Sequence, residues 1–296
     1  MTFQDFFEKN GWSIVDVLTT EPREAGLYSI DNLSLGDESR AYLQRQYPAG
    51  IYRHQQEAIR RSLAGEDVCL VTGTASGKSL VFQSVALDLL DRDPDAKVMA
   101  IYPMKALGNE QRDRWHQMLA ATKIASPERD QGTYANIVND SLVGRIDGNV
   151  PPGFRLNILD RSRVVVFTPD IIHAWLFSNL NQPQVLRFLS KVRLIVVDEV
   201  HAYSGVFGSN SAFLFRRLQH LMSLLDANPR YICASATIAQ PDEHLRALFG
   251  KPFSVVGPEY DSSPRYPLEV ILSTPPGQAR FLEEIVQLLE YLSRQA

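Results

Sequence analysis

Thr72-Gly73-Thr74-Ala75-Ser76-Gly77-Lys78-Ser79 decides how this chain is read. The apolar run Val68-Cys69-Leu70-Val71 leads into it, and a helical pattern from Leu80 to Leu87 leads out. Strand, small-residue turn, Gly-Lys-Ser and helix is the layout of a phosphate-binding P-loop. Small side chains let successive backbone N–H groups converge on one phosphate chain. The helix N-terminus adds its partial positive charge. Lys78 is expected to reach the β- and γ-phosphates, and the Ser79 hydroxyl to ligate Mg²⁺. The general pattern opens on glycine, where this chain has Thr72. The alternative is a Gly/Ser-rich turn ahead of an ordinary helix, so the rest of the chain must decide.

Strand-like and helix-like stretches alternate on both sides of this segment. Val98–Tyr102, Leu142–Ile146, Val164–Phe167, Leu194–Val197 and Tyr231–Ala234 are continuous apolar runs or short strands. Helical patterns separate them. Continuous apolar strands alternating with helices imply an α/β fold, a mainly parallel sheet with helices on both faces. Polar motifs follow these strands directly, and the C-terminal strand ends line the edge where such sheets bind ligands. Residues 1–50 are mixed and read as an N-terminal extension. Residues 51–257 read as the nucleotide-binding domain. A polar, Pro-rich linker begins near Gly257-Pro258, followed by a short strand and an amphipathic helix up to residue 296. Residues 122–141 read as an inserted polar loop.

Composition narrows the setting. At 45% hydrophobic and 22% charged over 296 residues, the chain is globular and long enough for a large core. The net charge of −4 means that any nucleic-acid contact comes from a local face or from backbone N–H groups. Cys69 and Cys233 both fall in apolar runs and read as buried free thiols. No secretory leader or membrane-length apolar run is visible, which points to a soluble, reducing, cytoplasmic setting.

Asp198-Glu199 closes the strand Leu194–Val197 and reads as a Walker B pair. Asp198 would hold Mg²⁺, and Glu199 would orient and polarise an attacking water. His201, two residues on, is placed to sense the γ-phosphate, with the Ser235 and Thr237 hydroxyls as partners. A capping acidic turn and a plain strand-end Ser-Ala-Thr are the alternatives. Gln55, on a helix just ahead of the P-loop strand, carries an amide that can read an adenine edge.

The ordered set Gln55, Gly73–Ser79, Pro103–Leu107, Thr168-Pro169-Asp170, Asp198–His201 and Ser235–Thr237 resembles the first RecA-like domain of a superfamily 2 helicase of the DEAD/DEAH-box type. The P-loop fits the helicase variant that begins with Ala or Thr, save that Ala75 stands where glycine is usual. Asp198–Ser209, with Arg216-Arg217-Leu218, resembles the clade of the bacterial mitomycin-repair and fungal RecQ-like repair helicases. The resemblance implies ATP and Mg²⁺ as ligands. Gln55 would contact adenine, while residues 72–79 hold phosphate and Ser79 and Asp198 hold the metal. Glu199 would activate water, and His201, Ser235 and Thr237 would couple hydrolysis to movement. Pro103, Lys105, Asp147, Gly148, Thr168 and Asp170 would line the track of a single strand, DNA by clade with RNA left open. The family also uses a second RecA-like domain, which supplies an arginine finger. Residues 258–296 read as a linker and the truncated start of that domain, so the chain is expected to need it in cis or in trans. Two other functions compete: a non-catalytic binding module of the same fold, and another P-loop enzyme such as a small-molecule kinase. Glu199 with His201 speaks against the kinase, which needs no water-activating carboxylate there.

Overall fold

Seven of the strands lie side by side, all parallel. The computed structural model describes residues 3–124, 142–236, 238–276 and 281–295. Strands in chain order are β1 (Ser13–Thr20), β2 (Leu27–Tyr28), β3 (Ile51–Tyr52), β4 (Val68–Val71), β5 (Lys97–Ile101) and β6 (Val143–Ile146). They continue as β7 (Val164–Phe167), β8 (Val192–Val197), β9 (Arg230–Ser235), β10 (Ser254–Val256) and β11 (Leu268–Thr274). The main sheet has the order β10-β4-β9-β8-β5-β7-β6.

Alternation along each strand divides the apolar runs between two cores. Val68, Leu70, Val98, Ala100, Val164, Val166, Leu194 and Val196 face one cluster. Their neighbours Cys69, Val71, Met99, Ile101, Val165, Phe167, Ile195 and Val197 face the other. The first cluster is covered by the helices Arg53–Leu63, Ser79–Arg92 and Lys105–Ala120. The second is covered chiefly by Pro183–Lys191, Gly205–Leu224 and Pro241–Phe249. Burying both faces is why these strands carry no polar alternation. Cys69 and Cys233 are register partners on β4 and β9, both free and fully buried.

The larger compact unit spans Gly26–Ser262, so residues 26–50 pack with it. Ile30, Leu33, Leu35, Tyr42 and Leu43 join the first core. The helix Asp37–Gln46 has Gly36 at its N-cap and no cap from its own chain segment. Asp88, on the helix after the P-loop, substitutes: its Oδ1 accepts the Gly36 N–H at 2.6 Å and its Oδ2 accepts from Arg92 Nε at 2.8 Å. The smaller unit combines Met1–Ala25 with Ser263–Ala296. There β1 pairs antiparallel with β11, and the Phe6 ring stacks on Tyr291 at 4.4 Å. Of the stretch expected as an insert, residues 125–141 lie outside the described residues, as does Thr237.

Two short helices lie on either side of β7 in the chain. Pro152–Arg161 and Pro183–Lys191 both begin with proline in the first turn. Proline lacks an N–H that this position would leave unpaired anyway, and its fixed φ suits helix entry. The first of these helices ends on Lys97. Its Nζ donates to Leu159 O at 3.1 Å, Asp160 O at 2.8 Å and Ser162 O at 2.6 Å. Burial, helped by the Arg163 charge, pulls this ammonium down to about 8. Lys97→Met would leave three carbonyls near a helix end without that donor. We expect a loss of about 2–3 kcal/mol, at 1–3 kcal/mol per unmade buried hydrogen bond with partial relaxation, seen as a lower urea midpoint.

Candidate functional site

The strand ends of β4, β8 and β9 open onto a cavity of about 900 Å³. Thr74–Ser79, Asp198, Glu199, Ala236 and Gln55 line it, together with Leu107, Gln111 and Arg114 from the helix Lys105–Ala120. Residues 120 positions apart in sequence, Lys78 and Asp198, therefore share one recess.

The loop's shape follows from two left-handed residues. Ala75 has φ +59° and Gly77 φ +77°. At Gly77 a Cβ would stand 2.5 Å from Gln55 Nε2, so only glycine admits the contact made there. Thr72 Oγ1 and Ser76 Oγ bridge the loop at 2.8 Å. Thr72, replacing the usual glycine, thus works as an internal tie. The Lys78 Nζ folds back onto the Thr72 and Gly73 carbonyls at 3.0 and 2.7 Å. Burial depresses the Lys78 pKa, against the fields of Glu199, Asp198 and Asp261, which favour the charged form.

Asp198 is 6% exposed, and burial raises its pKa to about 6. The Glu199 backbone N–H opposes that shift by donating to its Oδ1 at 2.9 Å. Glu199 itself takes a left-handed φ of +52°. That turn carries its carboxylate to 3.2 Å from His201 Nδ1. The same ring nitrogen lies 3.1 Å from Ser235 Oγ, and Ser235 Oγ also accepts the His201 N–H at 3.2 Å. His201 thus bridges the end of β8 to the end of β9. A second polar group reinforces the turn: His244 Nε2 lies 3.0 Å from Val200 O.

Gln55 is buried, and its amide is already engaged. Its Oε1 accepts the Tyr52 N–H at 2.9 Å, and its Nε2 donates to Gly77 O at 2.9 Å. It holds the P-loop while lining the cavity. The neighbouring His54, buried behind it, also holds the P-loop: its Nε2 lies 2.9 Å from Ser76 O. Sequence reasoning missed His54, although its position beside Gln55 on the helix that precedes the P-loop strand was the available signal.

The other candidates gather over β5, β7 and β6, the opposite part of the same edge. Lys105 Nζ lies 3.4 Å from Asn149 Oδ1, and a Cβ on Gly148 would meet that ammonium at 3.1 Å. Asp170 is exposed just beyond β7, whereas Thr168 is 5% exposed. Pro103 is half-buried at the end of β5. Asp147 points inward at 1% exposure: its Oδ1 accepts the Asn149 N–H at 2.8 Å, and its Oδ2 pairs with Arg145 Nη1 at 3.4 Å. Its side chain shapes the turn that presents Gly148 and Asn149.

The DEAD/DEAH box helicase family model matches residues 52–244, which contain the P-loop and the Asp198-Glu199 pair. The chain belongs to the DEAD/DEAH box helicase family. ATP-dependent helicase HRQ1 of Saccharomyces cerevisiae is 37% identical over 201 residues, covering 67% of this chain but 17% of the yeast protein. The helicase YprA of Bacillus subtilis is 29% identical over 248 residues, 84% of this chain and 31% of that protein. Among solved structures, the DUF1998 helicase MrfA bound to DNA and AMPPNP is similar at a TM-score of 0.81 and 26% identity, covering 99% of this chain and 39% of MrfA. The Mycobacterium smegmatis helicase Lhr bound to ssDNA and AMP-PNP follows at a TM-score of 0.61 and 25% identity, over 78% of this chain and 28% of Lhr. The chain therefore spans a minor part of each of these relatives. The fold is that of a RecA-like helicase domain.

In this helicase domain Ala75 bears a strain that glycine would not. A left-handed alanine costs roughly 1–2 kcal/mol, and glycine returns about half in lost chain freedom. Ala75→Gly is accordingly expected to stabilise the domain by about 0.5–1 kcal/mol, read as a higher denaturant midpoint.

Proposed function

We propose that this domain is the ATP-binding half of a DNA helicase motor, coupling ATP hydrolysis to movement along a single strand. The observation that carries the reading is the single recess lined by Lys78, Asp198 and Glu199. Backbone N–H groups of residues 73–79 would take the phosphates, with Lys78 released from the loop carbonyls onto the β- and γ-phosphates. Among the described residues no three His, Cys, Asp or Glu side chains form a metal cage. Mg²⁺ needs none, because it keeps waters and takes one or two carboxylates plus phosphate oxygens. The Ser79 hydroxyl and the Asp198 carboxylate fit that demand. When bound, Mg²⁺ would neutralise charge on the phosphates. Glu199 would then orient water, and His201 with Ser235 would pass the γ-phosphate state from β8 to β9. Thr237 would join them.

Single-stranded DNA is the proposed track. Pro103, Lys105, Gly148, Thr168 and Asp170 would lie along its backbone, with Asp147 supporting the turn. Such phosphate contacts are indifferent to base identity, which suits a translocating motor. RNA is the competing strand and would be separated by the same binding assays. A second RecA-like domain, in cis or in trans, would close the site and supply the arginine finger. No helix among the described residues is long and apolar enough to cross a membrane, and a cytoplasmic location is part of the proposal.

Arginine fingers contribute on the order of 10³-fold or more in turnover. ATPase measured on this chain should therefore be very slow and show no unwinding. Joined to the second domain it should rise by at least that factor on adding single-stranded DNA, and Glu199→Gln should abolish the rise. Equal, DNA-independent rates in both forms would instead favour a non-catalytic module.

Asp198 makes metal binding sensitive to pH. Its folded pKa, about 6, lies above the ordinary 3.8, and only the ionised form takes a cation. Mg²⁺-dependent nucleotide binding should be full above about pH 7 and fall as pH drops through about 6. Titrations of ATP affinity with and without Mg²⁺ between pH 5 and 8, with Asp198→Asn losing both dependences, check this.

A further inference from the structure

The chain enters the larger unit at Gly26 and leaves it at Ser262. These two residues are fastened to each other. The Gly26 N–H donates to Ser262 O at 2.9 Å, and Ser262 Oγ donates to Gly26 O at 2.6 Å. The same hydroxyl accepts the Arg53 N–H at 2.8 Å. Arg53 opens the helix whose next two residues, His54 and Gln55, hold the Ser76 and Gly77 carbonyls of the P-loop.

A second connection runs parallel to the first. Asp261 Oδ1 lies 3.6 Å from His54 Nδ1, with both side chains buried. His54 Nε2 faces a carbonyl, so both ring nitrogens face acceptors. Tyr260 is held between two guanidinium groups, Arg53 at 5.0 Å and Arg61 at 5.2 Å from its ring centroid, and its hydroxyl accepts from Arg61 Nη2 at 3.0 Å. Asp261 also acts electrostatically on Lys78. Over Pro258–Ser262, the linker expected from Gly257 onward is thus fastened to the start of the helix that holds the P-loop.

We propose that Asp261 and Ser262 are positioning residues of the nucleotide site, acting through His54 and Arg53 on the P-loop carbonyls, and that they tie nucleotide occupancy to the paired chain crossings at Gly26 and Ser262. This deepens the ATP-binding reading and rests on it. When phosphate enters, the P-loop carbonyls of Ser76 and Gly77 must settle into one arrangement. His54 and Gln55 follow them, and the helix start carries the crossings along. Coupling is reciprocal, so loosening the crossings must weaken nucleotide binding by the factor with which nucleotide tightens the crossings.

The test uses the full chain with AMPPNP and Mg²⁺ as the probe. Backbone hydrogen exchange at Gly26 and Arg53 is followed with and without the nucleotide, and affinity is titrated for the parent, Asp261→Asn and Ser262→Ala. The expected result is slower exchange at both amides in the parent on adding AMPPNP. Each variant should lose that response and bind at least about fivefold more weakly, the lower end of ordinary coupling, with an unchanged circular dichroism spectrum. A purely structural role would lower the melting temperature and leave the exchange response intact, which overturns the proposal. Affinities within twofold of the parent, or parental amides indifferent to AMPPNP, also overturn it. If Asp261→Asn fails to fold, Ser262→Ala and the parental response decide. Lys78→Ala separates the two levels. Loss of binding there with normal Asp261→Asn affinity refutes the positioning role alone, whereas unchanged binding in Lys78→Ala refutes the nucleotide reading itself.

Discussion

One ammonium and two carboxylates share a single recess, and the rest of the structure exists to hold them there. Burial pushes Asp198 toward its protonated form and Lys78 toward its neutral one. Against burial, the Glu199 N–H and the Lys78 and Arg114 charges favour the Asp198 carboxylate, while Glu199, Asp198 and Asp261 favour the Lys78 ammonium. Lys78 donates to the carbonyls of its own loop. Under the proposed ATP-binding function, a triphosphate with Mg²⁺ would supply the complementary charges in one piece. The scaffold's contribution is rigidity, because β4 and β8 are buried on both faces and cannot yield to repulsion between the groups they carry.

The sheet edge is divided between tasks. Nucleotide candidates stand over β4, β9 and β8, and the proposed strand contacts over β5, β7 and β6. β8 and β5 are neighbours, and the Asp198 N–H donates to Ile101 O at 3.1 Å just past the paired strands. The Asp198 turn therefore lies within one strand spacing of the start of the proposed track. His201 provides the lateral link in the other direction, to Ser235 on β9.

Much of this was legible in the chain. The buried strands β4, β5, β7, β8 and β9 announce themselves as short apolar runs ending in polar motifs, since a strand covered on both faces has no polar alternation to blur it. The juxtaposition of Lys78 with Asp198-Glu199 follows from parallel pairing alone. Other features depend on partners distant in sequence. β1 is largely exposed and finds its pairing only with β11, some 250 residues on. Asp147 reads as a surface turn residue but is turned inward by Arg145 and the Asn149 N–H. Residues 26–50 carry no periodic signal strong enough to show that Asp88 caps the helix Asp37–Gln46 from another helix. Asp261 offers no sequence cue at all, because its role depends on a buried histidine some 200 positions earlier.

Cys69 and Cys233 have a practical meaning beyond packing. They face each other across β4 and β9, the second and third strands of the seven, with zero exposure, and burial raises both thiols away from the reactive thiolate. A thiol reagent cannot label either one while these strands stay paired. Labelling of this pair is therefore an intrinsic clock for opening of the sheet at β4 and β9, blind to motion confined to the nucleotide loop.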